Sequence, residues 1–267
     1  MGDEQIQPGT LYIVPTPIGN LDDITLRALK VLGGVDLIAA EDTRTTKILL
    51  DHYAIQKPMI SYFSHNETVR TPQIIDKLLK NQSVAVVTDA GTPGISDPAH
   101  AVIAAAIESG ITIVPLPGAT AFIPALIASG LPTHAFVFEG FLPHKKGRHT
   151  RLMLLREEYR TIVFYESPHR IIRTLSELEE ALGNRRATVG RELTKKFEEF
   201  LRGTLSSIRA TLEARSIKGE FVLVVEGAPP KSRAEKFADG NARPDTEPDT
   251  ETDTDARSDD DIPHLPL

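Results

Sequence analysis

The sequence of 267 residues predicts an α/β protein with two sheets, the first mostly parallel and the second mixed. In the first half, short β-branched apolar runs alternate with helical patterns, which is the rhythm of right-handed crossovers between parallel strands. The second half has fewer crossovers, which favours a mixed sheet. We therefore expect two α/β domains at 10–117 and 118–227, between an N-terminal extension (1–9) and an acidic tail (228–267).

In the first half, each predicted strand is an apolar run and each predicted helix has apolar residues at helical spacing. The helix after the fourth strand has the clearest start, because Asp97 is a typical N-cap and Pro98 a typical first helical residue. Strands are predicted over 11–14, 36–40, 59–63, 84–88 and 111–114, and helices over 26–32, 45–52, 72–79 and 99–107.

In the second half, one helix is expected to begin with Ser167 as its cap and Pro168 in its first turn. Its apolar residues recur at helical spacing and form one face. Another helix is expected near 207–214. Strands are predicted over 135–138, 161–164, 187–191, 199–203 and Phe221–Val225, and the apolar face consists of Ile171, Ile172, Leu175, Leu178 and Leu182.

Two loops of small residues follow predicted strands in the first half. Residues 91–94 read Gly-Thr-Pro-Gly and residues 117–120 read Pro-Gly-Ala-Thr, and each is expected to open a helix. In open α/β sheets, ligands bind in the crevice at the carboxyl ends of the strands. Backbone N–H groups at helix starts suit an anionic group such as a carboxylate or phosphate. These two loops are therefore the predicted cofactor site.

The composition indicates the cellular compartment of the protein. The chain has no cysteine, which excludes disulfides and thiolate zinc sites and favours a reducing cytosol. Its first residues are acidic, which argues against a signal peptide, and no run approaches the roughly 20 apolar residues of a membrane helix. We expect a soluble cytoplasmic protein without a metal site.

The charge of the chain is unevenly distributed. Residues 239–267 hold ten acidic side chains against Arg243 and Arg257, a net charge of −8, which leaves +1 of the total of −7 for residues 1–238. The acidic tail is expected to be disordered, because it has almost nothing to bury. Two functions are open for it: a solubilising extension, or an acidic strip that competes with RNA for a basic surface.

Several common enzyme signatures are absent from the sequence. The first strand ends in Pro-Thr-Pro-Ile-Gly-Asn (15–20), which lacks the glycines of a dinucleotide-binding fingerprint. No Walker phosphate loop, no H-E-x-x-H and no G-x-S-x-G occurs. Nucleotide triphosphatases, zinc proteases and α/β-hydrolases therefore lack their signatures here.

Polar residues gather at the predicted carboxyl ends of three strands, at 41–44, 64–67 and 165–170. Active sites of α/β proteins are assembled at this edge of the sheet, so the group as a whole indicates a site. A structural reading stays open for individual members. Asp42, Thr43 and Ser167 are possible helix caps, and Arg44 is a possible partner of Glu41 or Asp42.

A basic loop at 144–149, followed by Arg151, lies between a predicted strand and a helix. One reading is an ordinary solvated surface. The other is a rim that grips RNA phosphates, with contacts that weaken as salt rises. The aromatic pattern of a stacking-sheet RNA-binding module is absent, so a module of that type is not expected.

Eight motifs in order resemble the ribosomal RNA small subunit methyltransferases of the tetrapyrrole methylase, or class III methyltransferase, superfamily. The resemblance spans roughly residues 10 to 227 and leaves out the acidic tail. The motifs lie at 11–21, 40–44, 64–67, 88–93, 117–119, 138–143, 164–170 and 191–195.

The resemblance implies two α/β domains of the tetrapyrrole methylase type with a cofactor cleft between them. It implies a homodimeric enzyme that uses S-adenosylmethionine to methylate the ribose 2′-oxygen of a decoding-centre cytidine in 16S rRNA, within the 30S subunit. Carried onto this chain, the cofactor-binding residues are Pro17, Gly91, Thr92, Pro93, Ile95, Ala119, Thr120, Phe164 and Tyr165.

The remaining site residues are predicted by their position at the strand ends and in the basic loop. A general base would take the proton of the ribose hydroxyl, and the sequence leaves four candidates open. The candidates for the base are Glu41, His65, Glu67 and Glu166, and the candidates for holding the RNA are Arg44, Asn66, Lys145, Lys146, Arg148, Arg170 and Lys195.

Two other functions stay open. The same superfamily contains enzymes that methylate carbon atoms of tetrapyrroles, and they share the fold and the cofactor. The motifs at 64–67 and 165–170 and the basic loop favour the ribosomal RNA branch. A non-catalytic module that binds the cofactor during ribosome assembly is the third reading, although no cofactor motif is degraded.

Overall fold

The computed structural model describes residues 5–229. Five strands form the first sheet, and every pairing between them is parallel, as predicted. They are β1 (Leu11–Ile13), β2 (Leu37–Ala40), β3 (Met59–Ser61), β4 (Val84–Val87) and β5 (Ile113–Pro115). Their order across the sheet is β3-β2-β4-β1-β5, so β4 and β1 are central and their carboxyl ends lie side by side.

Four helices cover the two faces of this sheet. Alternate residues of β4 point to opposite faces, with Ala85 and Val87 in one apolar cluster and Val84 and Val86 in the other. The first cluster includes residues of α1 and α2, and the second residues of α3 and α4. The helices are α1 (Leu26–Gly34), α2 (Thr43–His52), α3 (Glu67–Leu79) and α4 (His100–Glu108), and a 3-10 turn spans Leu21–Asp23.

The second sheet is mixed, which confirms the prediction from its fewer crossovers. Its strands are β6 (Phe136–Phe141), β7 (Thr161–Glu166), β8 (Arg186–Arg191), β9 (Glu199–Thr204) and β10 (Phe221–Val225), in the order β6-β7-β10-β8-β9. The β6–β7 pair is parallel, and the other three pairs are antiparallel.

Helices also cover both faces of the second sheet. The helices are α5 (Phe122–Ile127), α6 (Arg148–Leu154), α7 (Ile171–Leu182) and α8 (Leu205–Glu213), with a 3-10 turn at Leu155–Glu157. The predicted apolar face of α7 is confirmed, because Ile171, Leu175, Leu178 and Leu182 are buried and Ile172 packs beside them. On the other face, Ala125 and Leu126 of α5 pack against β7 and β10.

Two predicted helix starts are wrong. The helix after β4 begins at His100 behind Ala99, so Asp97 is not its cap and the loop 91–94 does not open a helix directly. The helix after β7 begins at Ile171 behind Arg170, so Ser167 is not its cap. In both places the chain makes an extra turn between strand and helix. Ser167 therefore lies directly after β7 and Asp97 in the loop after β4, and both line a cavity.

The other differences are shifts of boundaries. The third helix begins five residues earlier than predicted, at Glu67, and includes Pro72. The loop 117–120 leads almost directly into α5, as predicted. Both sheets belong to one compact unit that ends at Ala228, so the division after residue 117 stays a prediction.

The acidic tail beyond residue 229 lies outside the described residues. Within residues 5–229, no helix is both long and apolar enough to cross a membrane.

Candidate functional site

A cavity of about 340 Å³ lies at the carboxyl ends of β4 and β7. The two sheets both contribute to it: the wall from the first sheet includes the loop after β4, and the wall from the second includes the end of β7 and the start of β10. Most of its lining surface is apolar and a few polar groups interrupt it, which is typical of a small-molecule site. The cavity therefore lies where the two small-residue loops predicted a ligand.

The two loops are tied together at the rim of this cavity. Thr16 and Gly91 exchange two backbone hydrogen bonds of 2.9 Å each, and Gly91 has a φ of +91° that favours glycine. The hydroxyl of Thr92 donates a 2.9 Å hydrogen bond to the carbonyl of Ala119 in the second loop. At Gly118 a Cβ would overlap the ring of Pro15. Glycine is thus required at Gly118 by the close approach of Pro15 and favoured at Gly91 by its backbone conformation.

Five of the nine predicted cofactor-binding residues line the cavity. Phe164 does not, because neighbouring residues of a strand face opposite sides and Phe164 is fully buried in the core behind Tyr165. Pro17 lines a separate cavity of about 130 Å³. Ala119 contributes its carbonyl to the loop contact, and Pro93 is buried in the turn. The residues that line the cavity are Gly91, Thr92, Ile95, Thr120 and Tyr165.

Three carboxylates meet on one wall of the cavity: Glu41, Asp89 and Asp97. Glu41 accepts a 3.2 Å hydrogen bond from the backbone of Asp89, and Asp89 accepts one of 3.1 Å from the backbone of Asp42. Burial raises the pKa of both groups. Asp97 differs from them, because no donor among the described residues forms a hydrogen bond with its carboxylate.

Asp97 is the site residue that the sequence prediction missed. Burial raises its pKa to about 6, and the negative charges of Glu41 and Asp89 add to the effect. The Asp-Pro pair looks like a helix cap in the sequence. Only the loop geometry, with a φ of +88° at Gly94 and +66° at Ser96, places Asp97 on the cavity wall. A titratable group in a cleft with such a shift is a candidate catalytic residue.

The other predicted bases have structural roles or lie away from the cavity. Glu166 is buried and uses both oxygens: one pairs with Arg170 at 2.7 Å, and the other accepts from Thr174 at 2.6 Å. Glu67 accepts a 3.3 Å hydrogen bond from a tyrosine hydroxyl at the start of α3. His65 is exposed in the same turn, outside the cavity. Burial of Tyr165 raises its pKa to about 12, so its hydroxyl stays protonated near neutral pH and cannot take up the proton of the ribose.

Some of the predicted RNA-binding residues turn out to hold the fold together. Arg148 is buried, pairs with Glu177 at 2.6 Å and donates to Thr174 and the carbonyl of Pro143, so its guanidinium is not available to a phosphate. Arg170 is similarly committed to Glu166 and to a backbone carbonyl. Asn66 stabilises its own turn by accepting from the backbone of Phe63.

The remaining predicted RNA-binding residues are more accessible. Lys145 and Lys146 are exposed in the loop before α6. The side chain of Arg44 is 90% exposed and pairs with Asp42, which also caps α2, as the structural reading of this motif allowed. Lys195 pairs with two glutamates next to strands of the second sheet, Glu192 after β8 at 3.1 Å and Glu220 before β10 at 2.8 Å. The loop lysines and Arg44 are therefore the exposed cations of the predicted set.

Comparison with known proteins supports the resemblance seen in the motifs. A relative from Synechocystis sp. is 52% identical over 237 residues, which cover 88% of this chain and 85% of that protein. A relative from Halalkalibacterium halodurans is 49% identical over 229 residues, which cover 85% of this chain and 79% of that protein. Both are named Ribosomal RNA small subunit methyltransferase I.

Solved structures share the fold at much lower identity. The methyltransferase CobJ has a TM-score of 0.63 and 22% identity, covering 84% of this chain and 96% of its own. A uroporphyrin-III C-methyltransferase from Thermus thermophilus, solved with S-adenyl homocysteine, has a TM-score of 0.58 and 17% identity, covering 81% of this chain and 97% of its own.

The sequence model of the family described as Tetrapyrrole (Corrin/Porphyrin) Methylases matches residues 10–209, which include all of the first sheet and four strands of the second. Together with relatives that are about half identical over most of the chain, this match shows that the protein belongs to the tetrapyrrole methylase family.

Proposed function

We propose that this protein methylates the ribose 2′-oxygen of a cytidine in the decoding centre of 16S rRNA, with S-adenosylmethionine as the methyl donor. One observation carries the proposal: two tied small-residue loops and the carboxylate of Asp97 share a single cavity. The names of the relatives that are about half identical support an rRNA substrate. The structural neighbour that was solved with S-adenyl homocysteine supports the donor.

The cavity suits S-adenosylmethionine in size and chemistry. Its volume of about 340 Å³ lies within the range of roughly 300–1,000 Å³ that is usual for small-molecule sites. Gly91 and Ala90 let the backbone approach a ligand closely, and the side chains of Ile95 and Leu193 offer apolar contact. The carboxylates of Glu41 and Asp89, beside this loop in the lining, suit the positively charged sulfur and amino group. We propose that these residues hold the donor.

Asp97 is proposed to act as the general base. When bound, S-adenosylmethionine supplies a methyl group on a positively charged sulfur, which leaves as a neutral thioether as the ribose oxygen takes the methyl carbon. The carboxylate of Asp97 accepts the proton that the ribose hydroxyl loses. Glu41 is already engaged with the backbone of Asp89, so Asp97 is better placed to take a proton. The walls of the cavity restrict water and align the hydroxyl.

The exposed cations near the site are proposed to hold the RNA. Lys145 and Lys146 lie in the loop between β6 and α6, and Arg44 lies in the first turn of α2, near Glu41 in the chain. Contacts of this kind with phosphates position a nucleic acid without reading its sequence. We further propose that the enzyme is a cytoplasmic homodimer that acts on the 30S subunit. The exposed Ile123 and Ile127 on α5 are apolar surface that a second copy would cover.

A transfer assay tests the proposed function. Purified protein, tritiated S-adenosylmethionine and 30S particles or 16S rRNA should yield label at the ribose oxygen of one cytidine, located by digestion and mass spectrometry. Label on uroporphyrinogen and none on RNA would show a tetrapyrrole C-methyltransferase instead. Tight binding of the donor without any product would show a non-catalytic module.

The hydrogen bond between the two loops gives a test of the donor site. Thr92→Val keeps the shape of the side chain but removes the hydroxyl that donates to Ala119. One hydrogen bond contributes about 0.5–1.5 kcal/mol, so the dissociation constant of S-adenosylmethionine should rise about 2- to 10-fold by calorimetry. Thr150→Val, at an exposed position on α6, is the matched control and should bind as the wild type does. Equal binding by both variants would show that the loop contact does not shape the donor site.

A further inference from the structure

Phe141 lies at the mouth of the cavity, at the end of β6, and 52% of its surface is exposed. A single exposed apolar side chain is common and needs no explanation by itself. This one combines exposure with a place in the cavity lining. The local backbone and the neighbouring side chains also hold its ring in that position.

A β-bulge brings Phe141 to the cavity side of the second sheet. The register between β6 and β7 shifts between Phe138 and Gly140, and Gly140 has a φ of +60°. In a regular strand, residues three apart face opposite sides of the sheet. With the bulge, the rings of Phe138 and Phe141 both contact Tyr165, at centroid distances of 5.0 and 5.6 Å. Bulges often re-aim a side chain next to an active site in this way.

Arg170, the residue before α7, fixes the position of Phe141. Its guanidinium donates a 3.1 Å hydrogen bond to the carbonyl of Leu142, the residue after Phe141, and pairs with Glu166 at 2.7 Å. The guanidinium carbon lies 6.0 Å from the centroid of the Phe141 ring. The ring is therefore held in place beside a cation while half of its surface stays open.

We propose that Phe141 is the stacking platform for the unpaired base of the nucleotide whose ribose is methylated. This inference rests on the proposed function. Proteins that recognise a specific RNA site mostly bind unpaired bases, and they commonly stack such a base on an aromatic side chain. Lys145 and Lys146 follow in the loop after β6, where they can reach the flanking phosphates. An open aromatic face at the cavity mouth would place the attached ribose toward the cavity.

Kinetics with the full-length protein and the RNA that is labelled in the transfer assay test the platform. Stacking on an aromatic side chain contributes about 1–3 kcal/mol per base, so Phe141→Leu should raise the KM for RNA roughly 5- to 150-fold. Phe141→Trp keeps an aromatic face and should retain most of the affinity. In both variants the dissociation constant of S-adenosylmethionine should change much less than the KM for RNA changes in Phe141→Leu, and both should melt at the temperature of the wild type. Tyr159→Leu is the control, because Tyr159 is 72% exposed beside Arg160, before the opposite end of β7.

Photocrosslinking provides a readout that does not depend on turnover. A decoding-centre RNA fragment with 5-iodocytidine at the methylated position should crosslink to Phe141 under long-wavelength ultraviolet light, as mapped by mass spectrometry. Phe141→Leu should lose this crosslink and the Tyr159→Leu control should keep it.

The outcomes separate the platform from the function itself. Methylation of RNA by the wild type with an unchanged KM in Phe141→Leu, or with a crosslink at another residue, would overturn the platform and leave the function intact. A wild type that labels no RNA would refute the function and the platform with it. If Phe141→Leu lost activity toward uroporphyrinogen and kept its activity toward RNA, the ring would serve to bind a tetrapyrrole and not an RNA base.

Discussion

Asp97→Asn should lower kcat for RNA methylation about 10²- to 10⁴-fold, because general base catalysis contributes about that factor. Asparagine has nearly the same shape but cannot accept the proton. The dissociation constant of S-adenosylmethionine, measured by calorimetry, should change little by comparison. Asp23→Asn, at an exposed acid in the 3-10 turn before α1, is the matched control and should keep full activity.

A variant with normal kcat and weak binding of the donor would contradict the role of Asp97 as the general base. If Asp97→Asn kept kcat but weakened the binding of S-adenosylmethionine many-fold, Asp97 would be a ligand of the donor and the base would lie elsewhere. Glu41, whose pKa is also raised by burial, would then be the next residue to test.

The pH dependence of the wild type gives a second check on Asp97. The base must be ionised to work, and its pKa is raised from 3.8 to about 6. The rate should therefore rise with pH through about 6 and be flat above, and the Asp97→Asn variant should lose this dependence. A group with a raised folded pKa contributes stability that is present below its unfolded pKa and is lost as pH rises through the folded value. Asp97→Asn should therefore be at least as stable as the wild type at pH 7.5, which separates loss of activity from loss of folding.

Arg148→Ala should lower the free energy of unfolding by about 2–4 kcal/mol, because removal of one member of a buried ion pair leaves its partners without a counter-charge or hydrogen-bond donor. The change leaves Thr174, the carbonyl of Pro143 and one oxygen of Glu177 without the guanidinium. The effect stays below the upper end known for buried pairs, because Glu177 is about a quarter exposed and keeps Arg173 at 2.8 Å. Thermal melting should show a fall of roughly 5–15 °C.

The neighbouring lysines provide the contrast. Lys145→Ala with Lys146→Ala should leave the melting temperature unchanged, since both side chains are exposed. The double variant should instead bind RNA more weakly, with a smaller slope of affinity against salt, by about one for each lost phosphate contact. A normal melting temperature for Arg148→Ala, together with a loss of RNA affinity, would show that the arginine serves the RNA rather than the fold.

The fold was predictable because its signals are local. Buried strands such as β10 are runs of apolar residues, and Phe221–Val225 was predicted at its observed bounds. The apolar spacing of α7 likewise identified the face that is buried. The small-residue loops placed the cavity correctly, because the φ of +91° favours glycine at Gly91 and the close approach of Pro15 requires it at Gly118.

The roles of individual polar residues were less predictable, since those depend on contacts between distant segments. Asp97 looks like a helix cap until the turns at Gly94 and Ser96 are known. Arg148 lies in a basic run, but its side chain is buried and pairs with Glu177, which is 29 residues away in the chain. Phe141 faces the cavity only because of the bulge at Gly140. In each case, the sequence shows the residue type and the tertiary structure decides its role.

The position of the donor is the central claim, and a crystal structure of the full-length protein with S-adenosylhomocysteine tests it most directly. We expect the ligand in the cavity at the ends of β4 and β7, in contact with Gly91, Thr92 and Thr120, with the carboxylate of Asp97 facing the sulfur side of the ligand. A ligand seated elsewhere, such as the groove between α6 and α7, with this cavity still empty, would contradict the account.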